Sequence, residues 1–382
     1  MKSIVAEKIK QFDLTLLFII FFLAGFGLMM VYSSSYTIAY IHYDTPNYFF
    51  MRQLQWLFIS IFFFVLAAFF PYRLYSKISP LLVLVSIGLL ILVLIPGVGT
   101  ERNYSQRWIE LGSFVFQPTE VLKLFMIIYF ASFYAKKQET INQFKNGVLP
   151  PLLILAVIFL LILQQPDLGS AALILFACAI IVICSGVKIR HLLMLGSIGL
   201  AGLIYFSYSA PYRLERVTSF INPFADPFGD GYQLINGYIA IGTGGIWGTG
   251  LGNSVQKLGF LPEAHTDFIM AIIMEELGIF GLIIVISSYV YIMFRGVITA
   301  RGCKDMFAKL LAIGITFQIM SQVVINLGAV SGLLPITGIT LPLISYGGSS
   351  LVITMISLGI LVNLSAKSKK DQGANELHKM AL

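Results

Sequence analysis

The chain has 382 residues, of which 58% are apolar and only 11% charged, with a formal net charge of +7. Soluble domains carry about a quarter charged residues and disordered chains far less apolar mass, so both classes are excluded. The composition predicts an all-α polytopic membrane protein in which residues 1–382 form a single domain.

Ten apolar runs approach the length of about 20 residues that a bilayer core requires. They cover 14–32, 54–70, 78–95, 119–134, 149–163, 168–184, 192–208, 266–294, 310–327 and 339–364. The runs are continuous rather than alternating, which excludes a closed β-barrel. The first follows Lys2, Lys8 and Lys10, as a signal peptide would, but its length and the lack of a clear A-x-A site favour a retained helix. Ile4, Val5, Ile9 and Phe12 suit a short interfacial helix before it.

Basic residues orient the bundle. Eighteen of the 25 Lys and Arg fall on one set of alternate segments. The other set holds six, namely Arg52, Arg102, Arg107, Arg213, Arg216 and Lys257, and Lys123 lies inside the fourth run. The positive-inside rule puts both termini of this multi-pass protein in the cytoplasm. The basic excess is thereby assigned to orientation and anionic lipid, and no nucleic acid is expected. The long connection 209–265 and the shorter 97–117 then face outward, and 366–382 is a cytoplasmic tail. Loops of such length usually carry function. Cys178, Cys184 and Cys303, like His42, His191, His265 and His378, lack metal-like or disulfide spacing.

In RWIELGSFVFQPTEVLKL (107–124), Pro118 suits a first helical position and Glu120 and Lys123 share a helix face. Two readings stand side by side. One is an intrahelical ion pair that carries Lys123 into the membrane. The other is an anion site, in which free helix N–H groups join Arg107 and Lys123 around a lipid-linked pyrophosphate. QQPDLGS (164–170) reads as a tight outer turn with Asp167 capping the next helix. The glycine-rich stretch 231–254 has no preceding strand and no following G-K-S/T, so it is not a nucleotide loop; its glycines let a re-entrant or surface-lying loop bend and pack.

FLPEAHTDFIMAIIMEELG (260–278) places Thr266 to cap a helix and Asp267 in its first turn. Asp267 is either a helix-start aspartate or a general base at the outer membrane surface. The neighbouring Glu263 and His265 and the long loop favour the second. Glu275 and Glu276 lie roughly 12 Å deeper at 1.5 Å per residue, facing either ion-pair partners or a wet cavity. Gln318, Gln322 and Asn326 recur on one face, for interhelical hydrogen bonding or for lining a polar groove. In ITGITLPLISYGGSSL (336–351), Pro342 and the pair Gly347 and Gly348 predict a kinked or broken helix, with Ser345, Tyr346 and Ser349 lining the break.

Together with MVYSSS near the first run, these motifs in this order resemble the SEDS family (shape, elongation, division and sporulation proteins), the FtsW/RodA/SpoVE group, over about residues 13–365. ITLPLISYGGSSL and LPEAHTDF are closer to the division and sporulation branch than to RodA. The resemblance implies a peptidoglycan glycosyltransferase that polymerises lipid II into β-1,4-linked glycan strands outside the cytoplasmic membrane. It implies a class B penicillin-binding protein (a transpeptidase) as partner, with other division or elongation proteins. The family's essential aspartate falls on Asp267, and its characteristic positions fall on Arg107, Trp108, Gln117, Pro118, Glu120 and Lys123. Asp267 is the expected catalytic residue, and Arg107, Trp108, Gln117, Glu120 and Lys123, with Glu263, His265, Ser345, Tyr346 and Ser349, are the expected substrate-binding residues. A divalent cation would assist the departing pyrophosphate, although no dense carboxylate cluster demands one. A flippase for the same lipid and a non-catalytic division scaffold are the competing readings.

Overall fold

A computed structural model describes residues 11–102, 105–112, 114–208 and 218–380. In chain order the helices are α1 (Leu14–Tyr43), α2 (Tyr48–Phe69) and α3 (Tyr72–Leu94). Then come strands β1 (Gly99–Arg102), β2 (Ser105–Leu111) and β3 (Phe114–Phe116), followed by α4 (Pro118–Lys136), α5 (Leu149–Leu163), α6 (Leu168–Cys184) and α7 (Ile189–Tyr208). The chain ends with α8 (Tyr232–Gly244), α9 (Ile269–Gly302), α10 (Met306–Val330) and α11 (Gly348–Met380). Each of the ten apolar runs lies mainly on a helix. Among the described residues eight helices are long and apolar enough to cross a membrane, while the apolar α6 has 17 residues. The expected interfacial positions Ile4 to Ile9 lie outside the described residues; Phe12 is buried. Asp13 caps α1, its Oδ1 accepting from the Leu16 N–H at 3.2 Å.

The core is centred on α4. Of its apolar window 78% is buried, against 17% for α2, and Leu122, Met126, Ile127, Phe130 and Tyr134 pack against α6 and α10. A helix surrounded on all sides can keep Lys123 in the interior only if a partner meets it, and the i,i+3 spacing supplies Glu120.

Three segments depart from the sequence expectation. The connection 97–117 is a three-stranded antiparallel sheet rather than a plain loop, with Ile109 opposite Phe116 and Leu111 opposite Phe114. Trp108, Ile109 and Phe114 to Phe116 supply the aromatic and β-branched residues that favour strands. Gly112, at φ +63°, makes the turn between β2 and β3.

α9 is broken at Gly278, which takes φ +60°. Backbone from the glycine-rich loop fills the break: Thr249 N–H donates to Glu275 O at 2.9 Å, Gly250 N–H to Glu276 O at 3.0 Å, and Ile279 N–H to Ile246 O at 3.1 Å. Groups freed by the break are thereby satisfied inside the protein, as the hydrocarbon region requires. A Cβ at Gly278 would strike the Ile246 backbone. The re-entrant or surface-lying loop expected from these glycines is this one.

The tenth run does not form a kinked helix. Residues 332–347 are irregular, Leu343 adopts φ +66°, and α11 begins only at Gly348. Pro342 lacks the N–H that a helix interior needs, and Trp56 packs where any Cβ on Gly348 would lie. α11 then runs unbroken to Met380, so residues 366–380 of the tail are helical. Near that end Lys369 Nζ donates to Phe12 O at 2.9 Å, bringing the two ends of the described chain together.

Candidate active site

At the opposite end of the bundle the sheet, the 336–347 segment and the turn before α9 enclose a cavity of about 520 Å³. Arg52, Trp56, Arg107, Trp108, Gln117, Glu120, Lys123, Asp167, Glu263, Asp267, Tyr346 and Ser349 contribute to its walls. Nine of the eleven expected catalytic and substrate-binding residues therefore converge. His265 and Ser345 do not line the cavity; they lie behind its wall.

Asp267 does not sit in a first helical turn. α9 starts two residues later, after Phe268, and residues 262–268 form a succession of turns. Thr266 does not cap that helix either. Its hydroxyl meets Glu263 Oε2 at 2.5 Å, Glu263 O at 3.1 Å and Asp267 Oδ1 at 3.3 Å. Closing the turn on Glu263 O, which accepts from the N–H groups of Thr266 and Phe268, leaves Asp267 only 8% exposed yet on the cavity wall.

Buried amides hold this turn. Asn326 Nδ2 donates to Asp267 O and to Ile339 O, both at 2.7 Å, tying the turn to the 336–347 segment. Gln322 donates to Thr340 O at 2.9 Å and accepts from Gln318 and Lys123. The amide face of α10 is thus an interhelical hydrogen-bonding face, and none of its three amides lines the cavity. Tyr346 N–H donates to His265 O at 2.9 Å, and the His265 ring lies 4.5 Å from that of Phe49 and 5.6 Å from that of Tyr346. Burial pulls the His265 pKa below its ordinary value, with the Glu263 charge opposing. Ser345 Oγ accepts from Leu341 N–H at 2.8 Å and fixes the irregular segment.

The cations are already engaged. Lys123 Nζ lies 2.8 Å from Glu120 Oε1. Arg107 donates to Gln165 O at 3.1 Å and to Pro166 O, and lies 3.6 Å from Asp167, which caps α6 through Ser170 N–H at 3.1 Å. Of the two readings of the 107–124 stretch, the intrahelical pair of Lys123 with Glu120 is present, and both residues line the cavity. Ser349 links the sheet to α11, accepting from Gln117 N–H at 3.3 Å and donating to Val115 O at 3.2 Å.

Arg52 was not singled out from the sequence. It sits one turn into α2, its guanidinium 4.9 Å from the Tyr48 ring centroid. Among the described residues it is the lining cation without a carboxylate partner. Its membership of the sparse basic set was the available signal. Trp56, Gln233 and the 337–340 backbone were likewise missed, because polar or aromatic residues near a helix end carry no distinctive spacing.

Glu276 meets an ion-pair partner, as expected, whereas Glu275 is held by neutral hydrogen-bond donors. Glu275 accepts from Ser254 Oγ, and from Val255 N–H at 2.8 Å. Glu276 pairs with Lys257 Nζ at 2.6 Å and accepts from Ser33 Oγ at 2.7 Å. Neither lines the cavity. Among the described residues no three His, Cys, Asp or Glu side chains gather to hold a metal ion.

Known proteins share this design. The family described as cell cycle protein, FtsW/RodA/SpoVE, matches residues 14–370. Stage V sporulation protein E of Bacillus subtilis (strain 168) is 43% identical over 360 residues, covering 94% of this chain and 98% of that protein. The probable peptidoglycan glycosyltransferase FtsW of the same strain is 43% identical over 387 residues, covering 98% and 96%. A chain from a structure describing coordination of polymerization and crosslinking by a peptidoglycan synthase complex superposes with a TM-score of 0.77 at 28% identity, covering 94% of this chain and 98% of its own. Thermus thermophilus rod shape determining protein RodA superposes with a TM-score of 0.68 at 28% identity, covering 93% and 96%. With the family matched along nearly its whole length, the chain belongs to the FtsW/RodA/SpoVE family of cell cycle proteins.

Proposed function

We propose that the protein is a peptidoglycan glycosyltransferase that polymerises lipid II, with Asp267 as general base. The observation that carries this reading is a carboxylate on the wall of a cavity whose other walls hold Arg52, Arg107 and Lys123. Asp267 takes the proton from the 4-hydroxyl of the acceptor sugar. That oxygen attacks the anomeric carbon of the donor from the face opposite the pyrophosphate, so the α-linked donor becomes a β-1,4 bond. The C–O bond to the pyrophosphate breaks and the lipid-linked pyrophosphate leaves with the electron pair. Proton transfer needs heavy atoms within about 2.6–3.2 Å or one bridging water.

Preorganised cations stabilise charge where it develops. The lining counts three basic and four acidic side chains, and two of the bases are balanced by Glu120 and Asp167. Arg52 is therefore the group best placed to meet an incoming pyrophosphate, with Arg107 and Lys123 holding their positions through their pairs. Trp108, Gln117, Tyr346 and Ser349 shape the sugar-facing wall. His265 and Ser345 act from behind it, by fixing the turn and the irregular segment.

The basic-residue distribution orients the cavity outward and both termini into the cytoplasm, where the lipid-linked donor arrives already activated and no nucleotide sugar is needed. A class B penicillin-binding protein is the partner that would cross-link the product. Purified protein supplied with labelled lipid II, with and without that partner, yields glycan polymer. Arg52→Ala lowers kcat/KM by about tenfold, which is about 1.4 kcal/mol. Translocation of lipid II in proteoliposomes without polymer would support a flippase instead, and wild-type growth with an inactive Asp267 variant would support a scaffold.

A further inference from the structure

The turn that carries Asp267 holds a second carboxylate, and the two are joined by a single hydroxyl. Thr266 Oγ1 lies 3.3 Å from Asp267 Oδ1 and 2.5 Å from Glu263 Oε2. Exposure rises along this line: Asp267 is buried, Thr266 half-buried and Glu263 exposed. Glu263 reaches its place at a cost, because its backbone adopts φ +54°, a left-handed conformation that disfavours side chains with a Cβ. Glu263 O closes the turn by accepting from Thr266 and Phe268, so the strained residue both shapes the turn and presents its carboxylate to Thr266.

A base in this position has a problem that the first chemical step does not solve. Each glycosyl transfer leaves one proton on Asp267, and Asp267 is enclosed by the cavity wall and, during turnover, by substrate. The proton must leave before the next sugar is deprotonated. Thr266 has one hydroxyl proton to give and oxygen lone pairs to accept with, and the short contact directs that proton to Glu263.

We propose that Glu263 and Thr266 form the route by which the proton leaves the catalytic base. This rests on the reading of Asp267 as that base. In the transfer the acceptor O–H bond breaks, the new glycosidic C–O bond forms, and the donor's bond to pyrophosphate breaks with its electron pair leaving on the phosphate oxygen. The acceptor proton is then on Asp267. In the relay Asp267 gives it to Thr266 Oγ1 while Thr266 gives its own proton to Glu263 Oε2. Glu263 releases that proton to water, and the Thr266 hydroxyl turns back to its starting orientation. Asp267 and Glu263 end ionised, Thr266 is unchanged, and one proton has crossed from the enclosed site to the exposed rim. Glu263 thus regenerates the base and does not itself touch the reacting atoms.

The test uses the full-length protein in multiple-turnover polymerisation of labelled lipid II, with Asp267→Asn measured in parallel. Thr266→Val keeps the shape of the side chain and removes the relay; it is expected to lower kcat about tenfold with KM for lipid II within about twofold. Thr266→Ser restores most of the lost rate. Glu263→Gln lowers kcat to a similar extent, and the double variant Thr266→Val with Glu263→Gln is no slower than the slower single, because both interrupt one route. Added formate raises the rate of Glu263→Ala but not that of Thr266→Val. A purely structural role for these residues predicts instead additive losses, a raised KM and no response to formate. The relay is overturned if Thr266→Val turns over at the wild-type rate while Asp267→Asn is inactive. If Asp267→Asn itself polymerises normally, the reading of the base fails first, and the two failures are thereby told apart.

Discussion

Two carboxylate-bearing regions stand nine residues apart in this chain and teach opposite lessons. At the turn before α9, Asp267 is held through its main chain, by Asn326 onto its carbonyl, and its side chain is on a cavity wall. Just inside α9, Glu275 and Glu276 are held through their side chains, by Ser254, backbone N–H groups, Lys257 and Ser33, and neither reaches the cavity. A carboxylate that lines the cavity is within reach of a substrate. One enclosed by protein donors away from the cavity is a structural clasp. The clasp is useful all the same: it pins the 245–257 loop into the break at Gly278, directly before the turn that carries the base.

This contrast is broken or sharpened by a series of variants. The largest effect on stability belongs to the clasp. Lys257→Met leaves Glu276 buried without its cation and costs about 3–5 kcal/mol, whereas Asp267→Asn changes stability by no more than about 1 kcal/mol. Thermal unfolding of the purified proteins in detergent measures both. The double variant Lys257→Met with Glu276→Gln recovers part of the loss, since the uncompensated charge is gone. A larger penalty for Asp267→Asn than for Lys257→Met would erase the distinction.

Smaller, and specific to the main-chain tether, is the effect of Asn326→Ala. It leaves Asp267 O and Ile339 O without their donor, for about 1–3 kcal/mol. Because the turn carries the base, kcat in lipid II polymerisation falls with it, while Gln318→Ala, about two turns away and bonded to Gln322, affects the rate less.

The smallest effect is a pH dependence. Burial holds His265 neutral in the folded protein, below its ordinary pKa of 6.5. As pH falls through and below 6.5 the unfolded chain gains a proton that the folded chain does not, so the stability contributed by neutral His265 is present above that pH and lost below it. The slope is at most about 1.4 kcal/mol per pH unit for one such group. Unfolding followed between neutral and mildly acidic pH is expected to show a shallower slope in His265→Phe, which keeps the ring contacts with Phe49 and Tyr346.

Much of this was legible in the sequence because membrane physics writes in long, coarse letters. Continuous apolar runs located the helices, and motif order identified the family and the aspartate. The Asp167 cap and Pro118 at the start of α4 followed from local chemistry and stand as read. What stayed hidden depends on distant pieces of chain meeting. The helix expected from Thr266 starts only at Ile269, because Thr266 is spent on Glu263 and Asp267. The tenth run was apolar enough for a helix from 339, yet its first nine residues are irregular: Gln322 and Asn326 take the carbonyls of Thr340 and Ile339, and a turn follows at Pro342. Arg52 looked like any rim cation until the fold placed it on the wall of the same cavity as Asp267. The partners of Glu275 and Glu276 lie roughly 20 residues back, in a loop whose glycines predicted bending but not where it would dock.

The central claim is that Asp267 removes the acceptor proton. Purified, correctly folded Asp267→Asn protein, given labelled lipid II with its class B partner present, tests it most directly. The account predicts that the variant binds lipid II and yields no detectable polymer, a loss of at least a hundredfold in rate. Glycan strands formed at the wild-type rate would contradict it.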